Sequence, residues 1–433
     1  MKVLMFGWEY PPNISGGLGT ACYGLTKGLT SLDCIDLTFI VPRVYGNEDK
    51  TGIKLIGAGD VILSKKLLLK QRSLEMRKSL TSYQKVSAYV TPSEYKNQLE
   101  TQKRTDIKNV KTPSNGKLEF GGKYGSSLFD EISRYALVAS EIARNESHNI
   151  SHAHDWLTYP AGIAAKEVTG NPLIVHVHST EYDRSGENPN VSVCEVERKG
   201  MEIADKVITV SDLTRNIVIR KYKIDPSKII TVHNAVDFAA GIPAAKLHKK
   251  RPNDKIVTFL GRITKQKGPE YFVKAAYKVL QKMDNVRFVM AGSGDMMEDM
   301  IRSVARLHIA DRFHFTGFLK GDDVSGMFEM SDLYVMPSVS EPFGISTLEA
   351  IQNNVPVIIS KQSGVSEVIT HAIKVDFWDI DQMADAIYGI LNYPSLRQYL
   401  LKNSFKEVNN LRWIKVAERV KEIYFDVARN IAG

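Results

Sequence analysis

Three cysteines in 433 residues, Cys22, Cys34 and Cys194, are too few and too odd in number to staple a fold. That scarcity argues against a disulfide framework and for a reducing compartment. No stretch approaches the ~20 consecutive apolar residues of a membrane span. The opening MKVLMFGWEYPP carries one lysine and an apolar run too short for a secretory leader. The expectation is a cytoplasmic protein without stable membrane insertion. Asp-x-Asp pairs, which hold divalent metals beside phosphates, are reduced to DID at 379–381. It precedes QMADAIYGIL and reads as a helix cap, so no metal is expected. There is no low-complexity tract. The charge is 57 Lys+Arg against 49 Asp+Glu, a net +8. This is too dispersed for nucleic acid and suits an anionic small ligand or polymer. The densest basic run, KLHKKRP at 246–252, reads as a solvated linker.

What is present is enough for two domains: the length exceeds one ordinary core, and 43% of the residues are hydrophobic. KVLMFGW, a glycine-rich loop, the helix TACYGLTKGLTSL with Thr20 as N-cap, and the strand IDLTFIVP follow in turn. That rhythm predicts a parallel α/β sheet. It weakens over 46–125, where GIKLIG and KVSAYV are the candidate strands. It returns with the helix SLFDEISRYALVASEIAR and the runs ISHAH, PLIVHVH, KVITVS and KIITVHNAVD. A Gly-, Pro- and Lys-containing stretch then interrupts it. The rhythm restarts with KIVTFLGR, VRFVMAG, FHFTGF, LYVMP and VPVIIS, with helices between. The predicted division is an N-terminal doubly wound domain over 1–238, a linker over 239–252 and a second doubly wound domain over 253–410. An amphipathic helix over 411–433 completes it.

Ligands of such sheets bind beyond the carboxyl ends of the strands, and in a paired arrangement in the cleft between them. After the first strand comes SGGLGT at 15–20. Gly16 and Gly17 let backbone N–H groups approach an anion at a helix start. A dinucleotide fingerprint is a poor fit, because Asp36 opens its strand rather than closing it. ISHAH and PLIVHVH each place two histidines on one strand face: His152 with His154, and His176 with His178. Zinc is a conceivable reading. The favoured one makes His152 and His176 core residues with partners, and His154 and His178 cleft residues. Glu181 and Arg184 either meet a polar ligand or pair with each other. Arg262 and Lys267, flanking a loop after KIVTFLG, form a plausible diphosphate clamp. Gly292 and Gly294 form a tight turn, with Asp295 as a possible helix cap. In SVSEPFGISTLEA at 338–350, a helix beginning near Ser346 leaves N–H groups around Gly344, Ile345 and Ser346 free for phosphate oxygens. Glu341 and Glu349 stand beside them, Glu349 in or near the first helical turn.

SGGLGT, HAHDW, GRITKQKG, AGSGD and EPFGISTLE, in this order and over nearly the whole chain, resemble the retaining glycosyltransferases of family 4. The start MKVLMFGWEYPP and HAHDW look most like the glycogen and starch synthase group. The resemblance implies a GT-B fold, two Rossmann-like domains facing across a cleft. It implies a nucleoside-diphosphate glucose donor, ADP-glucose or UDP-glucose, and an α-glucan or oligosaccharide acceptor, with no further cofactor. Gly16 and Gly17 would approach the diphosphate or donor sugar, and His154 the sugar near its reacting carbon. Arg262 and Lys267 would neutralise the leaving diphosphate, Glu341 would bind sugar hydroxyls and Glu349 the ribose. It also implies a front-face route to retention, since no carboxylate nucleophile stands out.

Overall fold

The computed structural model describes residues 1–14, 16–50, 52–64, 116–122, 124, 125, 127–237 and 254–432. The expected strand KVSAYV and the expected linker lie outside them. The N-terminal half contains β1 (Lys2–Phe6), α1 (Gly17–Thr30), β2 (Asp36–Val41), β3 (Lys54–Gly57), α2 (Leu128–Asn145) and β4 (Ile150–His154). It continues through α3 (Tyr159–Thr169), β5 (Leu173–Val177), α4 (Glu181–Ser185), α5 (Val191–Ile203), β6 (Lys206–Thr209), α6 (Asp212–Tyr222) and β7 (Ile229–Thr231). Its strands run parallel in the order β3-β2-β1-β4-β5-β6-β7.

The second half holds β8 (Lys255–Leu260), α7 (Pro269–Leu280), β9 (Val286–Ala291), α8 (Met297–Arg306), β10 (Phe313–Gly317), α9 (Asp322–Met330) and β11 (Leu333–Met336). After these come α10 (Ile345–Gln352), β12 (Val357–Ser360), β13 (Ile373–Val375), α11 (Ile380–Asn392), α12 (Pro394–Val408) and α13 (Trp413–Ala432). The sheet order is β10-β9-β8-β11-β12-β13, again parallel. Every residue of β4, β5 and β11 is buried, as expected of parallel strands covered on both faces. Strand order reverses between β1 and β4 and between β8 and β11, which opens a crevice at the carboxyl edge of each sheet.

The last helix belongs to the first half. Trp413, Ala417, Val420, Ile423 and Tyr424 share one core with Leu25 and Leu29 of α1 and with Val3 and Met5 of β1. Two glycines of α1 make room for it. A Cβ at Gly24 would lie 2.2 Å from the Trp413 ring, and one at Gly28 would lie 2.7 Å from the Trp413 carbonyl oxygen.

The two halves meet at their carboxyl edges. Ser340 donates from Oγ to Asp183 at 2.6 Å. The Glu367 carboxylate accepts from the N–H groups of Asp212 and Leu213 at 2.9 and 2.8 Å, capping α6 from across the junction. It also meets His233 Nε2 at 2.7 Å.

Several local expectations change. α1 begins four residues early, with Gly16 rather than Thr20 at the cap. Asp295 does not cap α8, whose cap residue is Met296 without a side-chain bond. Asp379 does cap α11, accepting from Gln382 N–H at 2.9 Å.

Candidate active site

The segment from β11 to α10 builds one wall. Gly344 precedes α10 with φ +106, a left-handed conformation that favours glycine. The N–H groups of Ile345 and Ser346 lie in the first turn, where no intrahelical acceptor exists. Tyr334 OH and Ser346 Oγ are 2.8 Å apart, which fixes the serine. Glu341 is buried, pairs with Lys267 Nζ at 2.5 Å and accepts from Ser338 Oγ at 3.1 Å. Ile345 packs against the core of each half, and Leu18, next to Gly17, packs against the same N-terminal cluster. This brings the start of α10 to the domain junction.

Glu349 is the fifth residue of α10, just past a first turn that holds no acid, because the helix starts at Ile345, one residue before the expected start. It is intermediate in exposure, and desolvation pushes its carboxyl up to about 7. Such a group binds its proton more tightly folded than unfolded. The contribution of Glu349 to stability is therefore greatest at low pH and falls as pH rises from about 4.5 to about 7. Glu349→Gln removes this loss. The melting temperature of the variant relative to wild type should rise between pH 5 and pH 8, an effect on the order of 2 kcal/mol after allowance for partial exposure. A flat difference in pH-dependent thermal melts would contradict the assignment.

The loops after β8 and β9 build the second wall. Arg262 Nη2 donates to Gln266 Oε1 at 3.0 Å, and Gln266 Nε2 donates to the Ser340 carbonyl at 3.1 Å. Gln266 is buried and ties the basic loop to the acidic one. Gly292 does not face this space freely. Its φ is +139, and a Cβ there would stand 1.8 Å from the Gly261 carbonyl oxygen. It supports the loop that carries Arg262. Gly292→Ala should cost about 3 kcal/mol and raise the donor KM several-fold. Denaturant unfolding and donor kinetics would check both, and an unchanged midpoint would refute the packing argument.

The third wall comes from β4 and β5. His152, His154, His176 and His178 are buried. His154 Nδ1 lies 2.9 Å from His178 Nε2, and His152 Nδ1 lies 2.6 Å from Tyr424 OH. The expectation of partners is met for His152 at one nitrogen. It fails for His176, whose ring nitrogens meet no partner among the described residues. Desolvation holds His152, His154 and His176 well below the usual imidazole range and His178 at about 3, so the rings are neutral. Asp155 follows at φ +58 and accepts from the N–H groups of His178 and Ser179 at 2.6 and 3.2 Å. Burial pushes its carboxyl up to about 7 against the pull of Arg184 and these donors.

Gly16 has extended backbone that any residue could adopt. What the glycines at 16 and 17 provide is space, since a Cβ at either position meets no atom within 4 Å. Glu181 and Arg184 form a buried pair at 3.0 Å, with Glu197 as a second partner of Arg184 at 2.6 Å. The sequence offered no signal for Gln266 as a strut, for Asp183 meeting Ser340, or for Glu367 capping α6. Each depends on a partner more than 70 residues away.

Residues 117–240 match the family described as Glycosyltransferase Family 4, and residues 244–407 match Glycosyl transferases group 1. The alpha-maltose-1-phosphate synthase of Mycolicibacterium smegmatis is 30% identical over an alignment of 314 positions that covers 65% of this chain and 80% of that protein. The chain belongs to the group-1, family-4 glycosyltransferases. An uncharacterized glycosyltransferase of Methanocaldococcus jannaschii is 26% identical over 98% of both chains. The structure of a sucrose-phosphate synthase from Thermosynechococcus elongatus superposes with a TM-score of 0.70 at 17% identity, covering 98% of both chains. This glycosyltransferase thus has the GT-B fold, two Rossmann-like sheets with their carboxyl edges together. Among its described residues no helix is long and apolar enough to cross a membrane.

Proposed function

We propose that this glycosyltransferase moves a glucosyl unit from a nucleoside-diphosphate glucose, ADP-glucose or UDP-glucose, to an α-glucan or oligosaccharide with retention and without a metal. The observation that carries the reading is the Lys267–Glu341 pair beside the N-terminus of α10, at the junction of the halves. It sets a cation, a hydroxyl-binding carboxylate and free helix N–H groups at the adjacent carboxyl ends of β8 and β11.

In this reading Arg262, Lys267 and the N–H groups of Ile345 and Ser346 take up charge as the anomeric carbon–phosphate oxygen bond breaks. Gly16 and Gly17 leave room for the donor at the opposite wall. His154 is held at Nδ1 by His178, and its Nε2 orients the sugar. Glu341 accepts hydrogen bonds from sugar hydroxyls, and Glu349 from the ribose. The acceptor oxygen forms its bond on the face the diphosphate leaves, and its proton passes to the departing phosphate oxygen. Neutral His154 is an orienting group here rather than the base.

The test is nucleoside-diphosphate release from ADP-, UDP- and GDP-glucose, with and without maltooligosaccharide or glycogen. Acceptor-dependent release with chain elongation is the expected result. Release that ignores the acceptor would overturn the transfer reading. The name of the M. smegmatis relative favours one second reading, a small sugar phosphate as acceptor. Glucose 1-phosphate in the same assay separates the two. EDTA should leave the rate unchanged; a loss restored by Mn²⁺ would overturn metal independence.

A further inference from the structure

We propose that His152, His154 and His176 form a site for a borderline divalent transition ion of the zinc class, and that its binding switches the glycosyltransferase off. β4 and β5 are neighbours in register, His154 opposite His176, so alternate residues of both strands line one face. One ring nitrogen from each of the three histidines falls within 4.8 Å of the others. The rings lie nearly parallel: His152 and His176 are 5.5 Å apart at 5°, and His154 and His176 are 5.2 Å apart at 28°.

The outer contacts orient the set. A metal-ligating imidazole ordinarily has its other nitrogen held by a hydrogen bond. Tyr424 OH holds Nδ1 of His152, and His178 holds Nδ1 of His154. Nε2 of both rings and both nitrogens of His176 are buried without a partner. Buried polar atoms are normally satisfied, so this concentration points to an absent ligand. Three neutral nitrogens with a fourth position open match a zinc-type donor set, and the neutral ring is the ligating form. Cys22 with His154 and His178 is a rival trio. A thiolate-to-cobalt charge-transfer band would mark that trio, and its absence the histidine set. Entry is past His178, 8% exposed where the other three are at most 1%.

The switch rests on the proposed reaction, because the ion takes the His154 Nε2 assigned to the donor sugar. The binding does not. EDTA-treated full-length protein is titrated with CoCl₂ and ZnCl₂, followed by absorption spectroscopy and metal analysis. One equivalent with visible cobalt bands and no thiolate-to-cobalt charge transfer is expected. His176→Asn should weaken binding by at least about tenfold, and Cys22→Ala should not. Absence of binding by wild type, a charge-transfer band, or unchanged affinity in His176→Asn would each overturn the assignment. The wild-type spectrum decides even if the variant fails to fold. In the release assay, Zn²⁺ should lower wild-type turnover at least about tenfold, reversibly with EDTA, and spare His176→Asn. Stoichiometric binding with full turnover would overturn the switch alone.

Discussion

His154→Ala is expected to lose turnover by about 10³-fold while nucleoside diphosphate still binds within about twofold of wild type. The side chain ends β4 at the crevice, is buried, and has one nitrogen committed to His178, so its remaining nitrogen is the group the reading spends on the sugar. In the proposed reading the nucleotide is held in the other half, by the loops after β8 and β11, and should not register the change. Turnover and calorimetric titration with the diphosphate measure the two quantities separately. Near-normal turnover would refute the role. A parallel loss of nucleotide affinity would mean that the substitution has disturbed the fold. His178→Ala keeps the His154 ring but releases its Nδ1, and should fall between the two.

Lys267→Ala should lower turnover by roughly 10³-fold and also destabilise the protein by about 3 kcal/mol. The second effect follows from its partner. Side-chain exposures of 21% for Lys267 and 8% for Glu341 place the pair where a carboxylate stripped of its cation is costly. Glu341→Gln on the Lys267→Ala background removes that charge. The double variant should recover most of the stability and none of the turnover. Thermal unfolding and donor kinetics on the set of three separate structure from chemistry. Recovery of turnover in the double variant would show that Lys267 acts only by neutralising Glu341.

The alternation of apolar runs with helical patterns was enough to read two parallel sheets, because buried parallel strands need continuous Val, Ile, Leu and Phe. It was also enough to direct attention to strand ends, where Arg262, Lys267, Glu341 and His154 all lie. α12 escaped because its apolar residues do not share a face: Leu400 and Val408 are buried while Tyr399 and Phe405 are exposed. The cap of α1 escaped because Gly16 makes no side-chain bond and leaves no chemical sign of a start. The two His-x-His pairs announced a shared face on each strand. Their stacking against one another depends on the register of β4 with β5, which no local pattern encodes. The ties that aim the site, Gln266 to Ser340 and Glu367 to α6, are contacts between distant segments and were equally invisible.

The placement of α13 also constrains the order in which the protein can be made. The apolar face formed by Val3, Met5, Leu25 and Leu29 is closed by Trp413, Val420 and Tyr424. A chain emerging from the ribosome therefore carries that face open while the whole second domain is being synthesised. The first domain is begun before the second and closed only after it. Until residues 413–432 arrive, it presents an adhesive surface of the kind chaperones hold.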